Sequence, residues 1–259
     1  MNQKTINLAN TQSVYLETYF DDLLLCNATG FFAKLKTSQL GVITNWHVLS
    51  GKNQVTKKVL HSKNAIPNKL KVFYHRRGLT GVWHSIDIPL LKEDYQPLWK
   101  EHSHYNNSVD VAGIQFPDIE NAYTPSYDPS YKDNNYLLGV SEPVSIVGFP
   151  FGQMAAQKIY GFDVKTPIWT AGNVATEPDL DITNLPLYYV DCRARKGQSG
   201  SPVISTRDSF PTQSVFNGKP SVTGQLFNLH GVYSGRISAK SDIGRVWKNS
   251  VIVDILKQI

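Results

Sequence analysis

The sequence predicts an all-β protein, because short apolar runs alternate with polar turns along most of its 259 residues. The runs are rich in β-branched and aromatic residues, which is typical of strands. They cover residues 23–25, 31–35, 41–44, 70–74, 109–112, 144–147, 187–190, 202–204 and 229–233. Many short strands joined by polar turns favour a β-sandwich or a β-barrel, and the runs do not distinguish the two.

Two segments depart from this pattern. Residues 121–135 are rich in Tyr, Pro, Ser, Asp and Asn and show little apolar periodicity, so they predict a linker between two halves. At the C-terminus, a helical spacing of apolar residues predicts a docking helix with Ser250 as a candidate cap. The apolar positions of that helix are Val251, Ile252, Ile255, Leu256 and Ile259.

Composition narrows the class of protein. The length suits one large domain or two small ones. No apolar run approaches the roughly 18 residues of a membrane span, and the N-terminus lacks the apolar core of a secretory signal. Cys26 and Cys192 are the two cysteines, which is few for a disulfide framework. We therefore expect free thiols, a cytoplasmic location and no membrane partner. A secreted mature form that has lost its signal peptide is the alternative.

The formal charge of +5 raises the question of an anionic partner. Basic residues concentrate between positions 52 and 77, at Lys52, Lys57, Lys58, Lys63, Lys69, Lys71, Arg76 and Arg77. Acidic residues are spread over the rest of the chain, and no nucleic-acid-binding motif accompanies the cluster. A solvated basic face is the favoured interpretation, binding of an anionic partner is the alternative, and nucleic acid is not expected.

The segment Gly197-Gln198-Ser199-Gly200-Ser201-Pro202-Val203 is the most informative in the chain. Glycines on both sides of a serine let the backbone bend sharply and present one hydroxyl. The N–H groups of Gly197 and Ser199 could then converge on one point, as an oxyanion requires. A flexible Gly/Ser linker is the alternative reading of this segment alone.

Two further residues supply what a serine nucleophile lacks. His47 follows the apolar run 41–44, and Asp110 is flanked by Val109 and Val111 in a setting that predicts burial. A buried carboxylate needs hydrogen-bond donors, and an imidazole N–H is a suitable one. The imidazole can in turn take the proton of a serine hydroxyl. An α/β-hydrolase is excluded, because its Gly-x-Ser-x-Gly elbow would need glycine where Ser201 stands and its serine precedes its acid and histidine.

In the order His, Asp, Ser, these segments resemble the trypsin-like serine peptidases of chymotrypsin fold, from about residue 25 to the C-terminus. The bacterial glutamyl endopeptidases and high-temperature-requirement proteases are the most similar in character. The matching motifs are Thr44-Asn45-Trp46-His47-Val48, Asp110-Val111-Ala112, Gly197-Gln198-Ser199-Gly200-Ser201-Pro202, Ile146-Val147-Gly148-Phe149-Pro150-Phe151-Gly152 and Gly231-Val232-Tyr233-Ser234-Gly235.

The resemblance implies two antiparallel β-barrels with a catalytic cleft between them and a C-terminal helix. The expected divisions are a first barrel over 10–122, a linker over 123–135, a second barrel over 136–247 and the helix over 248–259. His47 and Asp110 would lie on the first barrel and Ser199 on the second. Ser199 would be the nucleophile, His47 the base and Asp110 its orienting acid, with Gly197 and Ser199 forming the oxyanion hole.

The resemblance also indicates which residues meet a protein or peptide substrate. Arg193 would lie near the base of the pocket for the residue before the cut, and Tyr233, Ser234 and Gly235 on the strand beside it. Arginines at Arg193 and Arg236 would suit an acidic side chain. Against that, Arg193 can point to solvent or pair with Asp191, and Tyr233 replaces a histidine of the glutamyl-specific enzymes.

Gln198 stands where relatives activated by N-terminal cleavage carry an aspartate that pairs with the new amine. A neutral amide does not attract that amine, so we expect gating by a regulatory protein partner or a ligand. No cofactor is expected. His102 and His104 would share one face of a strand, but without a third ligand nearby they are interpreted as surface residues. The rival function is a catalytically idle module that holds a peptide or protein partner in the same cleft.

Overall fold

The first half of the chain folds into an antiparallel sheet of eight strands with two short helices. The structure is a computed structural model that describes residues 6–78, 81–131, 137–159, 162–207, 215–216, 219–220, 226–238 and 240–259. The elements of this first unit are α1 (Leu8–Gln12), β1 (Ser13–Phe20), β2 (Leu23–Ala33), β3 (Gly41–Thr44), α2 (Trp46–Ser50), β4 (Lys69–Arg76), β5 (Trp83–Pro89), β6 (Lys100–Glu101), β7 (Ala112–Gln115) and β8 (Ala122–Tyr123). The strand order is β5-β4-β1-β2-β3-β7-β6, with β8 paired to β4.

The register of this sheet positions two of the candidate residues. β3 and β7 pair antiparallel, with Thr44 opposite Ala112. His47 lies three residues beyond Thr44 in α2, and Asp110 lies two residues before Ala112. The pairing therefore brings His47 and Asp110 to the same end of the sheet.

The second half of the chain forms a closed barrel. The remaining strands are β9 (Pro143–Gly148), β10 (Ala155–Ile159), β11 (Phe162–Thr166), β12 (Ile168–Val174), β13 (Leu187–Cys192), β14 (Pro202–Arg207), β15 (Val215–Phe216), β16 (Lys219–Pro220), β17 (Leu226–Arg236) and β18 (Ile243–Lys248). Six of them close in the order β12-β13-β18-β17-β14-β9, while β10–β11 and β15–β16 form separate pairs. β14 begins directly after the Gly197–Ser201 segment, so the barrel presents Ser199 at one end.

The C-terminal helix α3 (Asn249–Leu256) joins the two units. Its Ile255 approaches Gly113 of β7 and its Leu256 approaches Gly41 of β3, so closely that a methyl group on either glycine would collide with them. A buried apolar cluster that includes Phe31, Val147 and Ile255 draws on both units and the helix. Burial of this apolar surface holds the two units together around the strands that lead to His47 and Asp110.

The predicted all-β chymotrypsin-like fold with a C-terminal helix is confirmed. The second unit is a closed barrel as expected, whereas the described strands of the first unit form a sheet without the closure of the expected first barrel. Three further details differ from expectation. Lys248 rather than Ser250 occupies the N-cap position of α3, without a side-chain capping bond, and Ser250 lies in the first turn. The strand predicted over 109–112 begins at Ala112, and the carbonyl of Asp110 accepts a hydrogen bond from Asn45 Nδ2 rather than from a neighbouring strand. Within the expected linker, the backbone of Tyr127 exchanges hydrogen bonds with Phe32 and Lys34.

The expected division between linker and second barrel, at 135/136, lies outside the described residues, and the domain boundaries stay a prediction. Cys26 and Cys192 are both free thiols. In the part of the chain that the structure describes, no helix is long and apolar enough to cross a membrane.

Candidate active site

His47 and Asp110 form a directly bonded pair. His47 Nδ1 lies 2.7 Å from Asp110 Oδ2, and the His47 backbone N–H donates to Asp110 Oδ1 at 2.9 Å. Asp110 is buried, and this pair of bonds offsets the cost of removing its charge from water. Because Nδ1 is taken up by the carboxylate, Nε2 is the ring nitrogen left for a reacting group.

The pair also sets the protonation of the imidazole. Burial acts to lower the pKa of His47, but the charge of Asp110 and its hydrogen bond outweigh burial and raise that pKa above its ordinary value. An imidazole with a raised pKa is a stronger base. It can therefore accept a proton and hold it as an imidazolium beside Asp110.

Residues 195–201 form the loop that carries Ser199, called the nucleophile loop after the role that the sequence predicts for Ser199, and the loop depends on two glycines. Gly197 and Gly200 have φ values of 93° and 86°, which disfavour other residues. Space is also lacking, because a Cβ on Gly197 would meet Phe149 O at 2.5 Å and one on Gly200 would meet Thr29 O at 2.1 Å. The tight turn expected from the sequence is thus present, and it seats Ser199 half-buried between the two units.

Thr29 of β2 connects this loop to the first unit. Its side-chain hydroxyl donates to the carbonyl of Gly197 at 2.8 Å and accepts from the N–H of Phe149 at 3.0 Å. Its backbone N–H donates to the carbonyl of Ser199 at 3.0 Å. Thr29 is fully buried, so these bonds lie out of water, where an unpaired group is costly.

The hydroxyl and the two N–H groups that the sequence predicts to react are not hydrogen-bonded within the described protein. Among the described residues, no hydrogen bond takes up the N–H of Gly197, the N–H of Ser199 or the Ser199 hydroxyl. An oxyanion hole needs N–H groups that no other acceptor in the protein occupies. Hydrogen bonds between a nucleophile and its base often tighten only when substrate binds.

Gln198 is fully buried inside the nucleophile loop. Its Oε1 accepts from the N–H of Arg195 at 2.7 Å, and its Nε2 donates to Thr170 Oγ1 at 2.8 Å. The side chain thus bonds the loop to itself and to β12 of the barrel. The loop conformation is stabilised from within the described chain.

One cleft brings the candidate residues together. A cavity of about 640 Å³ is lined by His47, Asp110, Gly197, Ser199 and Ser234, along with residues of β1, β2, the segment 51–67, Lys196, Arg245 and Trp247. The cleft lies where the first unit meets the barrel. Its volume lies in the range of ligand-binding clefts in proteins.

The comparison with known families decides the family of this chain. The sequence model of the trypsin-like peptidase domain matches residues 28–210, which is more than half of the chain. The chain belongs to the trypsin-like peptidase family. The comparison with curated proteins found no significant match.

Three solved structures are similar to this trypsin-like peptidase. The serine endoprotease of Yersinia pestis superposes with a TM-score of 0.51 at 11% identity, over 96% of this chain and 62% of the other. The inactive form of Rv3671c from M. tuberculosis gives 0.48 at 18% identity, over 97% and 87%. The active form of the Rv3671c protease gives 0.49 at 17% identity, over 97% and 82%.

The four residues expected around the substrate pocket of this peptidase lie in different places. Ser234 lines the cleft, whereas Arg193 and Gly235 do not, and Arg193 is exposed. The side chain of Tyr233 is buried in the apolar core of the barrel, where burial raises its pKa. Its backbone accepts from Gly200 N–H and donates to Ser201 O, so Tyr233 supports the nucleophile loop.

Sequence reasoning missed Thr29 and Thr170, which hold the loop of this trypsin-like peptidase. Both are common residue types in strands, and their partners are distant in sequence, so no local pattern marks them. In the described residues, no cluster of three or more metal-ligating side chains occurs. His102 Nδ1 instead accepts from the backbone N–H groups of His104 and Tyr105 in a turn.

Proposed function

We propose that this chain is a serine endopeptidase that cleaves protein or peptide substrates with Ser199, His47 and Asp110. The bonded His47–Asp110 pair, opening on the same cleft as the free hydroxyl of Ser199, carries the proposal. Membership of the trypsin-like peptidase family supports the same reaction.

In this mechanism Ser199 Oγ attacks the scissile carbonyl while His47 Nε2 takes the hydroxyl proton. Asp110 holds the imidazole in the required tautomer and stabilises its positive charge. The N–H groups of Gly197 and Ser199 bind the negative oxygen that forms. His47 then gives its proton to the leaving amine, and water completes the cycle by attacking the acyl-enzyme.

Cleavage of an unfolded protein substrate tests this proposal. We expect the parent chain to release peptides and the Ser199→Ala variant to lose this activity by at least about 10³-fold. The matched control is Ser62→Ala, which removes a hydroxyl from the same cleft at a residue that the mechanism does not use. An idle binding module would instead bind the substrate without cleaving it, and parent and variant would then behave alike.

The mode of activation is the second part of the proposal. The bonds of Gln198 to Arg195 and Thr170 support a loop that is ordered without an N-terminal amine. Gating by a protein partner or ligand stays a prediction. Activity that appears on trimming the N-terminus would contradict the first statement. Gating predicts that the purified chain alone cleaves unfolded protein at a slow basal rate, so rapid constitutive cleavage of unrelated proteins by the purified chain would contradict the second statement.

The preference for an acidic residue before the cut also stays a prediction. It depends on Arg193, which is exposed and outside the lining of the cleft. Profiling of cleavage sites in a peptide library tests it. The prediction requires enrichment of Asp or Glu before the cut and loss of that enrichment in Arg193→Gln.

A further inference from the structure

The types of residue that line the cleft differ between the barrel side and the side of the first unit. On the barrel side its lining includes the cationic residues Lys196 and Arg245, together with Ser234. On the side of the first unit, polar residues such as Thr18, Asn27 and Ser62 alternate with apolar residues of β2, α2 and the segment 51–67. The apolar members are Leu25, Ala28, Val48, Val55, Leu60, Ala65 and Pro67.

Two of these apolar side chains are exposed in the free enzyme. Val55 is 76% exposed and Leu60 is 54% exposed, although both border the cavity that holds His47 and Ser199. Exposed apolar surface in a groove continuous with a reactive site is typical of ligand-binding surfaces. An apolar ligand group would cover both side chains and remove them from water.

The segment 51–67, which carries Val55 and Leu60, forms one wall of the cleft, and hydrogen bonds hold this wall in place. Gln54 Nε2 donates to the carbonyls of Asn107 at 3.1 Å and Ser108 at 2.8 Å, directly before Asp110. Leu60 N–H donates to the carbonyl of Gly51 at 2.9 Å, at the end of α2. The wall is therefore attached at both ends to the elements that carry His47 and Asp110.

The proposed mechanism decides which part of a substrate meets this wall. His47 must protonate the leaving amine, so the residues after the cut pass over the first unit, on the His47 side. The residues before the cut stay bonded to Ser199, beside Ser234 and the barrel. Among the described lining residues of the first unit, Asp110 is the only acidic one, and its carboxylate is bonded to His47.

We infer that Leu25, Val55 and Leu60 form a subsite for a large apolar side chain on the residue that follows the scissile bond. The inference rests on the proposed function. It assigns selectivity to the leaving-group side of the cleft, in addition to any preference for the residue before the cut.

Partitioning of an acyl-enzyme tests this subsite alone. A small activated ester, 4-nitrophenyl acetate, would acetylate Ser199 without engaging any pocket for a substrate side chain. An amino-acid amide then competes with water for the acetyl group. Its amine forms a C–N bond to the acetyl carbonyl, the ester bond to Ser199 Oγ breaks, and the amine proton passes through His47 to Ser199 Oγ.

We expect L-leucinamide to intercept the acyl-enzyme about tenfold more efficiently than L-serinamide, because burial of a leucine side chain favours the former. The double variant Val55→Asp, Leu60→Asp should abolish most of this difference. Its matched control is Val140→Asp, Leu180→Asp, which makes the same changes at exposed positions outside the cleft lining and should keep the difference.

Equal interception by the two amides, or a preference for L-serinamide, would overturn the subsite while leaving the acyl-enzyme and the proposed function intact. Retention of the preference in Val55→Asp, Leu60→Asp would also overturn it. Failure of the parent chain to form an acyl-enzyme would overturn both proposals at once.

Discussion

His47 and Asp110 are joined by side-chain bonds at the end of one sheet, whereas Ser199 is held through backbone atoms that bridge both units. In the first region, one ion pair sets both the position and the pKa of the imidazole. In the second, Thr29 of the first unit and Tyr233 of the barrel bind the backbone of the nucleophile loop. Activity should therefore be lost for different reasons in the two regions. In the first it depends on the charge of Asp110, and in the second on the position of the loop backbone.

The largest effect is expected from Asp110→Asn. The amide keeps the size of the side chain but no longer holds His47 in the tautomer that accepts a proton at Nε2, so kcat/KM should fall by about 10⁴-fold. Steady-state hydrolysis of a peptide substrate measures the change. Asp87→Asn, at a half-exposed carboxylate that lies near Lys69 and Lys71 in the same sheet, should leave activity unchanged. Parent-level activity in Asp110→Asn would contradict the role of the pair.

A smaller loss is expected from Thr29→Val. The substitution leaves the Gly197 carbonyl and the Phe149 N–H without their buried partner, so the loop shifts and kcat/KM should fall by about 100-fold. Thr29→Ser retains the hydroxyl and should recover most of the activity. Circular dichroism and thermal unfolding would show that each variant is folded. Equal activity of the Val and Ser variants would show that the hydroxyl does not position the loop.

The subtlest test concerns pH. Because His47 must be neutral to accept a proton and its pKa is raised above 6.5, kcat/KM should rise with pH through an inflection above that value. Asp110→Asn removes the charge that raises the pKa and leaves burial, which lowers it. The inflection of the residual activity should therefore move to lower pH, and Thr29→Val should leave it in place. An unmoved inflection in Asp110→Asn would contradict this assignment.

The sequence was sufficient for the fold class and for the residues that a linear motif marks. Glycine at 197 and 200 predicted a sharp turn, and both positions have positive φ and no room for a side chain. The pairing of β3 with β7 was not visible in the sequence, yet it explains why His47 and Asp110 meet.

Features that depend on contacts between distant segments could not be predicted. Thr29 bonds to a loop 168 residues away, and no periodicity marks a hydroxyl with that role. The position of Val55 and Leu60 in the cleft wall could not be predicted either, because the sequence of their segment predicts a basic surface. Tyr233 was expected at the pocket from its place in a motif, but the alternation of β17 directs its ring into the barrel core.

The central claim is that Ser199 is a nucleophile activated by His47, and labelling with a fluorophosphonate probe tests it most directly. The probe reacts only with an activated serine, and mass spectrometry of the digested protein identifies the modified residue. We predict one label on Ser199 of the parent chain, no label on Ser199→Ala and much slower labelling of Asp110→Asn. Absence of label on the folded parent chain, or a label that persists in Ser199→Ala, would contradict the account.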